Sequence, residues 1–391
     1  MSCELLESPV WDVVASKPAM FDVPDSAPVR DVLALLGEKN VLSVPVVGEP
    51  GAWMGAGGAP LRSASNGKNY IGVVSVIDLV AFVFEQINLG AAGVSPQEGT
   101  GASAEQRSVD PVACIRAALG RPVIEALGST QESLSLWIES ADLQLQFALQ
   151  QFCGGGVHRA LVLPPWFLPG FEPDDAGATG PRFLTQTDVV HFLAEHRARS
   201  ATVLRLFDTS LRDLEFFASL SQKREASQKR EVSSVPVEAS ADVQASSPTS
   251  KPPPRKEKVV RCAVVTASLT SVLREIAEAT VLGVAVVDWD GKLVSVLSLA
   301  DFRGVVAAMV PSLLEITVGD FLSQRYFGRQ PSADLPEPLW CTRDIKLGDL
   351  VALILARQSH CAFVVDEKHR PVDVVTFTDI IKCVCKACSV E

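Results

Sequence analysis

Val374-Val375-Thr376-Phe377-Thr378-Asp379-Ile380 decides how this chain folds. A β-branched run stops at a hydroxyl residue, an aspartate follows three positions later, and a second apolar run begins. Val and Ile favour a pleated, half-buried strand. A Ser or Thr with an acid three residues on marks the start of a helix. The stretch therefore reads as a strand turning into a helix. The same junction recurs upstream as Gly72-Val73-Val74-Ser75-Val76-Ile77-Asp78, as Phe183-Leu184-Thr185-Gln186-Thr187-Asp188, and as Val294-Ser295-Val296-Leu297-Ser298-Leu299-Ala300-Asp301. The four aspartates are spaced 110, 113 and 78 residues apart. Such unequal spacing suits a small unit of about 50–60 residues with insertions better than a tightly stacked solenoid.

Each junction is preceded by the same layout. Apolar residues at three- and four-residue spacing predict helices over Pro28–Glu38, Leu134–Gln151, Leu269–Ala279 and Leu347–Ala356. In the last of these, Leu347, Leu350, Val351 and Ile354 share one face. Short β-branched runs follow at Val44–Val47, Ala160–Leu163, Val284–Val287 and Ala362–Val365. A tight reversal is clearest at Asp288-Trp289-Asp290-Gly291, where Asp and Gly favour a turn. The unit reads helix–strand–strand–helix with an edge strand before it, an α/β layer in which helices cover a small sheet. Insertions at 48–69 and 164–181 fall in the strand–strand connection. Residues 219–258 read as a disordered linker. They hold the near-duplicate Ser221–Ala226 and Ser227–Val232 and then Ser/Pro-rich sequence, which buries too little apolar surface to offset chain entropy. The expected organisation is repeat one at 1–89, repeat two at 107–200, the linker at 219–258, repeat three at 259–310 and repeat four at 313–391.

Composition narrows the function. The chain has 391 residues, is 47% apolar and carries a net charge of −11. An acidic surface repels nucleic-acid phosphates, and no basic groove is visible, so no nucleic-acid partner is expected. Met1-Ser2-Cys3-Glu4 opens with neither a basic nor an apolar leader region, so no secretory signal is expected. The most apolar stretch, Ile71–Phe84, is interrupted by Asp78, so no membrane span is expected either. The nine cysteines form no paired framework and read as reduced thiols in the cytosol. Cys385 and Cys388 have C-x-x-C spacing, but metal sites need further ligands, and reduced thiols on a terminal helix are the expectation. Gly154-Gly155-Gly156 lacks the Gly-Lys-Ser/Thr of a phosphate loop and reads as a turn. His191 and His196 read as a polar helix face. No spacing compels a catalytic set, so the chain reads as a non-enzyme.

Two readings fit the recurring motif. As a capping box, the hydroxyl and carboxylate satisfy backbone amides at a helix start. As a ligand site, a short fixed carboxylate beside a hydroxyl accepts from the two hydroxyls of a ribose. Strand ends followed by helix N-termini are also where α/β layers place ligands.

Four such units resemble cystathionine-β-synthase (CBS) domains in two tandem pairs, or Bateman modules, each repeat running β-α-β-β-α. The resemblance covers nearly the whole chain apart from the insertions and linker. It implies that paired repeats form clefts for adenosyl ligands. The motif aspartate there binds ribose with help from the Ser or Thr, which implicates Ser75/Asp78, Thr185/Asp188, Ser298/Asp301 and Thr376/Asp379. A four-repeat chain with no attached enzyme is similar to the gamma subunits of SNF1/AMP-activated-type kinases and to related plant CBS proteins. Those gamma subunits carry His-Arg before the first paired strand, where it meets phosphate. His158-Arg159 matches that position in repeat two, and His360 keeps the His in repeat four with Cys361 in place of Arg. Repeats one and three have Leu42 and Leu282 there and no basic residue nearby, so unequal sites are expected. The resemblance implies AMP, ADP or ATP as regulatory ligands rather than catalytic cofactors. It also implies kinase catalytic and scaffold subunits as partners, and a cytoplasmic location with the nucleus open as well. The rival expectation is a CBS scaffold for partner docking or oligomerisation that binds no nucleotide.

Overall fold

The computed structural model describes residues 3–18, 20–49, 68–92, 110–130, 133, 137–154, 158–164, 181–214, 260–279, 283–324 and 335–390. The chain enters through α1 (Val10–Val14). The first quarter is β1 (Val23–Pro24), α2 (Val29–Glu38), β2 (Ser43–Val47), β3 (Tyr70–Ser75) and α3 (Val76–Ala92). After α4 (Pro111–Leu119) comes the second quarter: β4 (Trp137–Ser140), α5 (Leu145–Gly154), β5 (Arg159–Leu163), β6 (Arg182–Thr185) and α6 (Gln186–His196). Then α7 (Ala201–Phe207) precedes the third: β7 (Cys262–Val264), α8 (Leu269–Ala279), β8 (Gly283–Val287) and β9 (Leu293–Ser298). Finally α9 (Val318–Gln324) precedes the fourth: β10 (Trp340–Cys341), α10 (Leu347–Ala356), β11 (Cys361–Val365), β12 (Pro371–Thr376) and α11 (Phe377–Ala387).

Each quarter builds a three-stranded sheet with its strands in chain order. The middle strand runs parallel to the first and antiparallel to the third. A parallel pair needs a crossover, and the helix after each first strand provides it. The register is the same in all four. The first residue of the middle strand stands opposite the motif hydroxyl residue, as Ser43 opposite Ser75, Arg159 opposite Thr185, Gly283 opposite Ser298 and Cys361 opposite Thr376.

Two local expectations are corrected. The helix expected over Leu134–Gln151 is split, because Trp137–Ser140 forms β4 and α5 starts at Leu145. Pairing of Trp137–Ser140 with Ala160–Leu163 overrides the apolar periodicity there. The amphipathic run after Asp301 is not one helix. It is a 3-10 turn, Leu299–Phe302, followed by a second 3-10 stretch, Ala307–Leu314. Gly304 takes φ +87° between them, and Pro311 lies inside the second, so an α-helical ladder cannot continue. The turn at Asp288–Gly291 forms as expected, with Gly291 at φ +78° and its amide donating to Asp288 O at 3.1 Å. The expected linker at 219–258 lies outside the described residues.

Sheets join quarters within each half. Tyr70 and Val73 pack on Leu161 and Phe183, and Ala285 and Leu293 pack on Cys361, Phe363 and Val365. Helices join the halves. One core merges the first and third quarters through Leu33, Val80, Leu273 and Phe302. Another merges the second and fourth through Leu149, Val190, Leu350 and Ile380. Each such fully buried side chain contributes about 1.5–3 kcal/mol of transfer free energy. Every quarter also receives an arm from elsewhere in the chain. Isolated bridges tie Pro9 to Gln144, Pro28 to Pro122, Ser210 to Lys346, and Ser268 to Thr317. The N-terminal segment therefore packs on the second quarter, where Leu5, Leu6, Val10 and Val14 enter its core, and residues 110–127 pack on the first.

Candidate functional site

All four motifs sit at a strand end that turns into a helix or a 3-10 turn, and all four first close a reciprocal cap. Asp78 Oδ2 accepts from the Ser75 amide at 2.8 Å and the Ser75 hydroxyl at 2.5 Å. Asp188 Oδ2 accepts from the Thr185 amide and hydroxyl, both at 2.7 Å. Asp301 Oδ2 takes the Ser298 amide at 2.7 Å and hydroxyl at 2.9 Å. Asp379 Oδ2 takes the Thr376 amide at 2.8 Å and hydroxyl at 2.7 Å. Capping is thus present in every copy and uses one carboxylate oxygen of each.

What else surrounds each carboxylate differs. Asp78 is 1% exposed, and its Oδ1 accepts from the Thr130 hydroxyl, so protein donors engage both oxygens. Asp188 is more open, and the Lys17 ammonium lies 2.7 Å from its Oδ2. Lys17 also donates to Phe183 O at 2.8 Å. Asp379 is buried, and Asp301 is half-buried.

The motif helices meet in pairs between the halves. Gln186 Nε2 donates to Thr378 Oγ1 at 3.0 Å, and Thr378 Oγ1 donates to Gln186 Oε1 at 3.1 Å. This brings the residue after Thr185 to the residue before Asp379. On the other side α3 packs on the turn containing Asp301. His360 lies at the start of the fourth motif helix, its ring 6.1 Å from that of Phe377 and nearly perpendicular to it.

Arg159 reaches across the sheet interface and donates to the Ser43 hydroxyl. By register Ser43 is the first-quarter counterpart of Arg159 itself. His158 likewise matches Leu42, since each carbonyl accepts from the amide that follows the motif hydroxyl residue: Gln186 to His158 at 3.2 Å and Val76 to Leu42 at 2.9 Å. The structure therefore gathers His158, Arg159, Thr185 and Asp188 around one end of β5 and β6, with Ser43 and Ser75 facing them. Thr376, Asp379 and His360 gather at the matching end of β11 and β12. Ser298 and Asp301 have Gly283 opposite, with no basic residue at that register position.

Sequence reasoning missed Lys17, Ser43 and Thr130, because they join the motifs from 171, 116 and 52 positions away. Two further copies of the pattern cap helix or turn starts elsewhere in the chain. Thr317 caps Asp320, with Oγ1 to Oδ2 at 2.7 Å, and Ser210 caps Asp213 at 2.6 Å. Neither follows a strand. Among the described residues no group of three or more His, Cys, Asp or Glu is placed to hold a metal ion.

Residues 333–386, the fourth quarter, match the CBS domain model. The chain is 23% identical to the SNF1-related protein kinase regulatory subunit gamma-like PV42b of Arabidopsis thaliana, over 96% of this chain and 94% of that protein. It is 29% identical over 118 residues to the 5'-AMP-activated protein kinase subunit gamma of Saccharomyces cerevisiae, covering 30% of this chain and 35% of that one. Its fold is similar to that of protein MJ1225 from Methanocaldococcus jannaschii, described as a putative archaeal homolog of g-AMPK. The TM-score is 0.57 at 14% identity, over 96% of this chain and 99% of that one. The chain thus carries a CBS domain and is similar, along nearly its whole length, to a gamma-type kinase regulatory subunit.

Proposed function

We propose that this chain is a non-catalytic, adenine-nucleotide-sensing regulatory subunit of a SNF1/AMP-activated-type kinase. The observation that carries the reading is the cluster at the end of β5 and β6. There Arg159, His158 and the Thr185/Asp188 pair stand at one junction beside the first quarter's Ser43. The Arg159 guanidinium suits a phosphate, and Asp188 suits a ribose diol. A nucleotide entering there meets the Lys17 ammonium, which either yields Asp188 to the sugar or turns to the phosphate. The fourth quarter offers Thr376, Asp379 and His360 but no Arg. The first quarter's Asp78 is buried, with both carboxylate oxygens already engaged by protein donors. Ligand binding would bias the packing of the quarters, provided the two packings bind nucleotide with different affinity, and the kinase subunits would read that bias.

Calorimetry with AMP, ADP and ATP tests the reading. Arg159→Ala is expected to weaken binding of at least one nucleotide about tenfold or more, the value of a charge-assisted hydrogen bond. Unchanged affinity for all three would remove Arg159 from the site. A second reading, a scaffold that binds no nucleotide, is favoured by the capping role of all four carboxylates. Saturating ligand raises the melting temperature of a protein that binds it. No shift with AMP, ADP, ATP or S-adenosylmethionine would favour the scaffold.

A further inference from the structure

Two thiols outside the nucleotide cluster face each other across the seam between the second and fourth quarters. Cys153 lies at the end of α5 and Cys385 in α11, 232 positions away, with their Sγ atoms 3.2 Å apart. The two helices pack directly on each other. Cys385 is buried, whereas Cys153 is half-buried. The pair is asymmetric. The hydrogen bond between the two sulfurs, aided by the Lys382 charge, holds the Cys153 thiol below its ordinary range against the opposing effect of burial. The same hydrogen bond, then burial, pushes the Cys385 thiol well above its own. A thiolate-prone cysteine beside a second thiol is the arrangement of a reactive and a resolving pair.

We propose that Cys153 and Cys385 are an oxidation site at which a hydroperoxide, hydrogen peroxide being the simplest, creates a disulfide that locks the two halves of the chain together. The Cys153 thiolate attacks one peroxide oxygen. An S–O bond forms, the O–O bond breaks, and the departing oxygen takes up a proton and leaves as water, or as an alcohol from an organic hydroperoxide. Cys385 Sγ then attacks the sulfur of the Cys153 sulfenic acid and loses its proton. The sulfenic oxygen leaves as a second water, and the S–S bond closes. Two electrons pass from the sulfur pair to the peroxide. The bond would join the helix behind β5 to the helix that begins at Thr376.

The chain supplies its own controls. Cys262 is exposed, but burial of its sulfur and the Glu275 charge raise its thiol pKa. Burial and then the Cys3 thiol raise the Cys388 thiol pKa, so Cys3 and Cys388 are the rival partner set. The test is to expose the reduced full-length chain to graded hydrogen peroxide, block free thiols, digest without reduction and map the peptides by mass spectrometry. The Cys153–Cys385 peptide, 2 Da below the sum of its parts, should appear before Cys262 is modified. The oxidised protein should melt at a higher temperature, reversibly with dithiothreitol. Cys153→Ser should lose both effects and, when reduced, melt like the wild type. Sulfinic acid building up on Cys153 while Cys385 stays blockable would overturn the proposal. Joining of Cys385 to a thiol other than Cys153, or no change at Cys153 at any peroxide level that leaves the fold intact, would do the same.

Discussion

Thr317 and Asp320 form the same reciprocal cap as the strand-end motifs, yet they open α9 after a loop rather than a strand. They separate capping from binding within one protein. The Thr317 hydroxyl, and then its amide, hold the Asp320 carboxyl below the usual carboxylate range. A depressed folded-state pKa adds stability above the unfolded value, and that stability is lost as pH falls through the folded value. Asp320→Asn is therefore expected to cost about 1 kcal/mol at neutral pH. The gap to wild type should narrow as pH drops below about 4, and nucleotide affinity should not change. Asp188→Asn breaks an equivalent cap and strands Lys17, at a similar cost in stability, but it should also weaken nucleotide binding about tenfold or more. Urea titrations and calorimetry on both variants decide it. An equal affinity loss in the two would mean that Asp188 acts through the fold alone. At this scale the sequence shows its local half. Ser/Thr and Asp three positions apart are visible, whereas Lys17, Ser43 and Thr130 reach them through tertiary packing that no local pattern encodes. The pattern itself does not discriminate, since Ser210/Asp213 and Thr317/Asp320 share it with the four strand ends.

Elements were legible where local propensity and tertiary pairing agree. The helices over Leu269–Ala279 and Leu347–Ala356 fall on their expected bounds, because in the latter Leu347, Leu350, Val351 and Ile354 are all buried on one face. Disagreement appears where a neighbour overrides the local signal. β4 forms because β5 is there to pair with it, and the third quarter's terminal helix fails at Gly304 and Pro311. The arms that cross between quarters were also invisible, since they depend on backbone contact between distant segments. Gly319 shows how close that contact is. Its amide donates to Val265 O at 2.8 Å. An added Cβ would run into Val265 Cγ1 and lie 3.1 Å from the Val265 carbonyl oxygen. Gly319→Ala is expected to destabilise by about 1–3 kcal/mol through overpacking. Gly154→Ala, at the end of α5 with nothing within 4 Å of its new Cβ, should be neutral or stabilising by up to about 1 kcal/mol. Denaturant midpoints of the two variants check the contrast. Equal costs would mean that the arm between Thr317 and Gln324 is not held against β7.

At the scale of the whole molecule, the sheets pair quarters within a half and the helices pair quarters between halves. The two halves therefore share their apolar interior, even though residues 215–259 separate them in sequence. Leu33 and Leu273 belong to one core, and Leu149 and Ile380 to the other. Removing one half would expose the helical faces of both remaining quarters. Such an architecture is expected to unfold in one calorimetric transition despite its two-module organisation. Ile380 is fully buried in α11 at the seam between the second and fourth quarters. Ile380→Ala is expected to cost about 2–5 kcal/mol through lost contacts and the cavity left behind. Because the seam belongs to both halves, the variant should lower that single transition rather than split it. Scanning calorimetry of the wild type and Ile380→Ala distinguishes the cases. Two resolved transitions in the wild type, with the first quarter's core melting apart from the third's, would show that the helical seams are too weak to couple the halves. In that event a ligand bound between Arg159 and Asp188 would have no mechanical route to the fourth quarter.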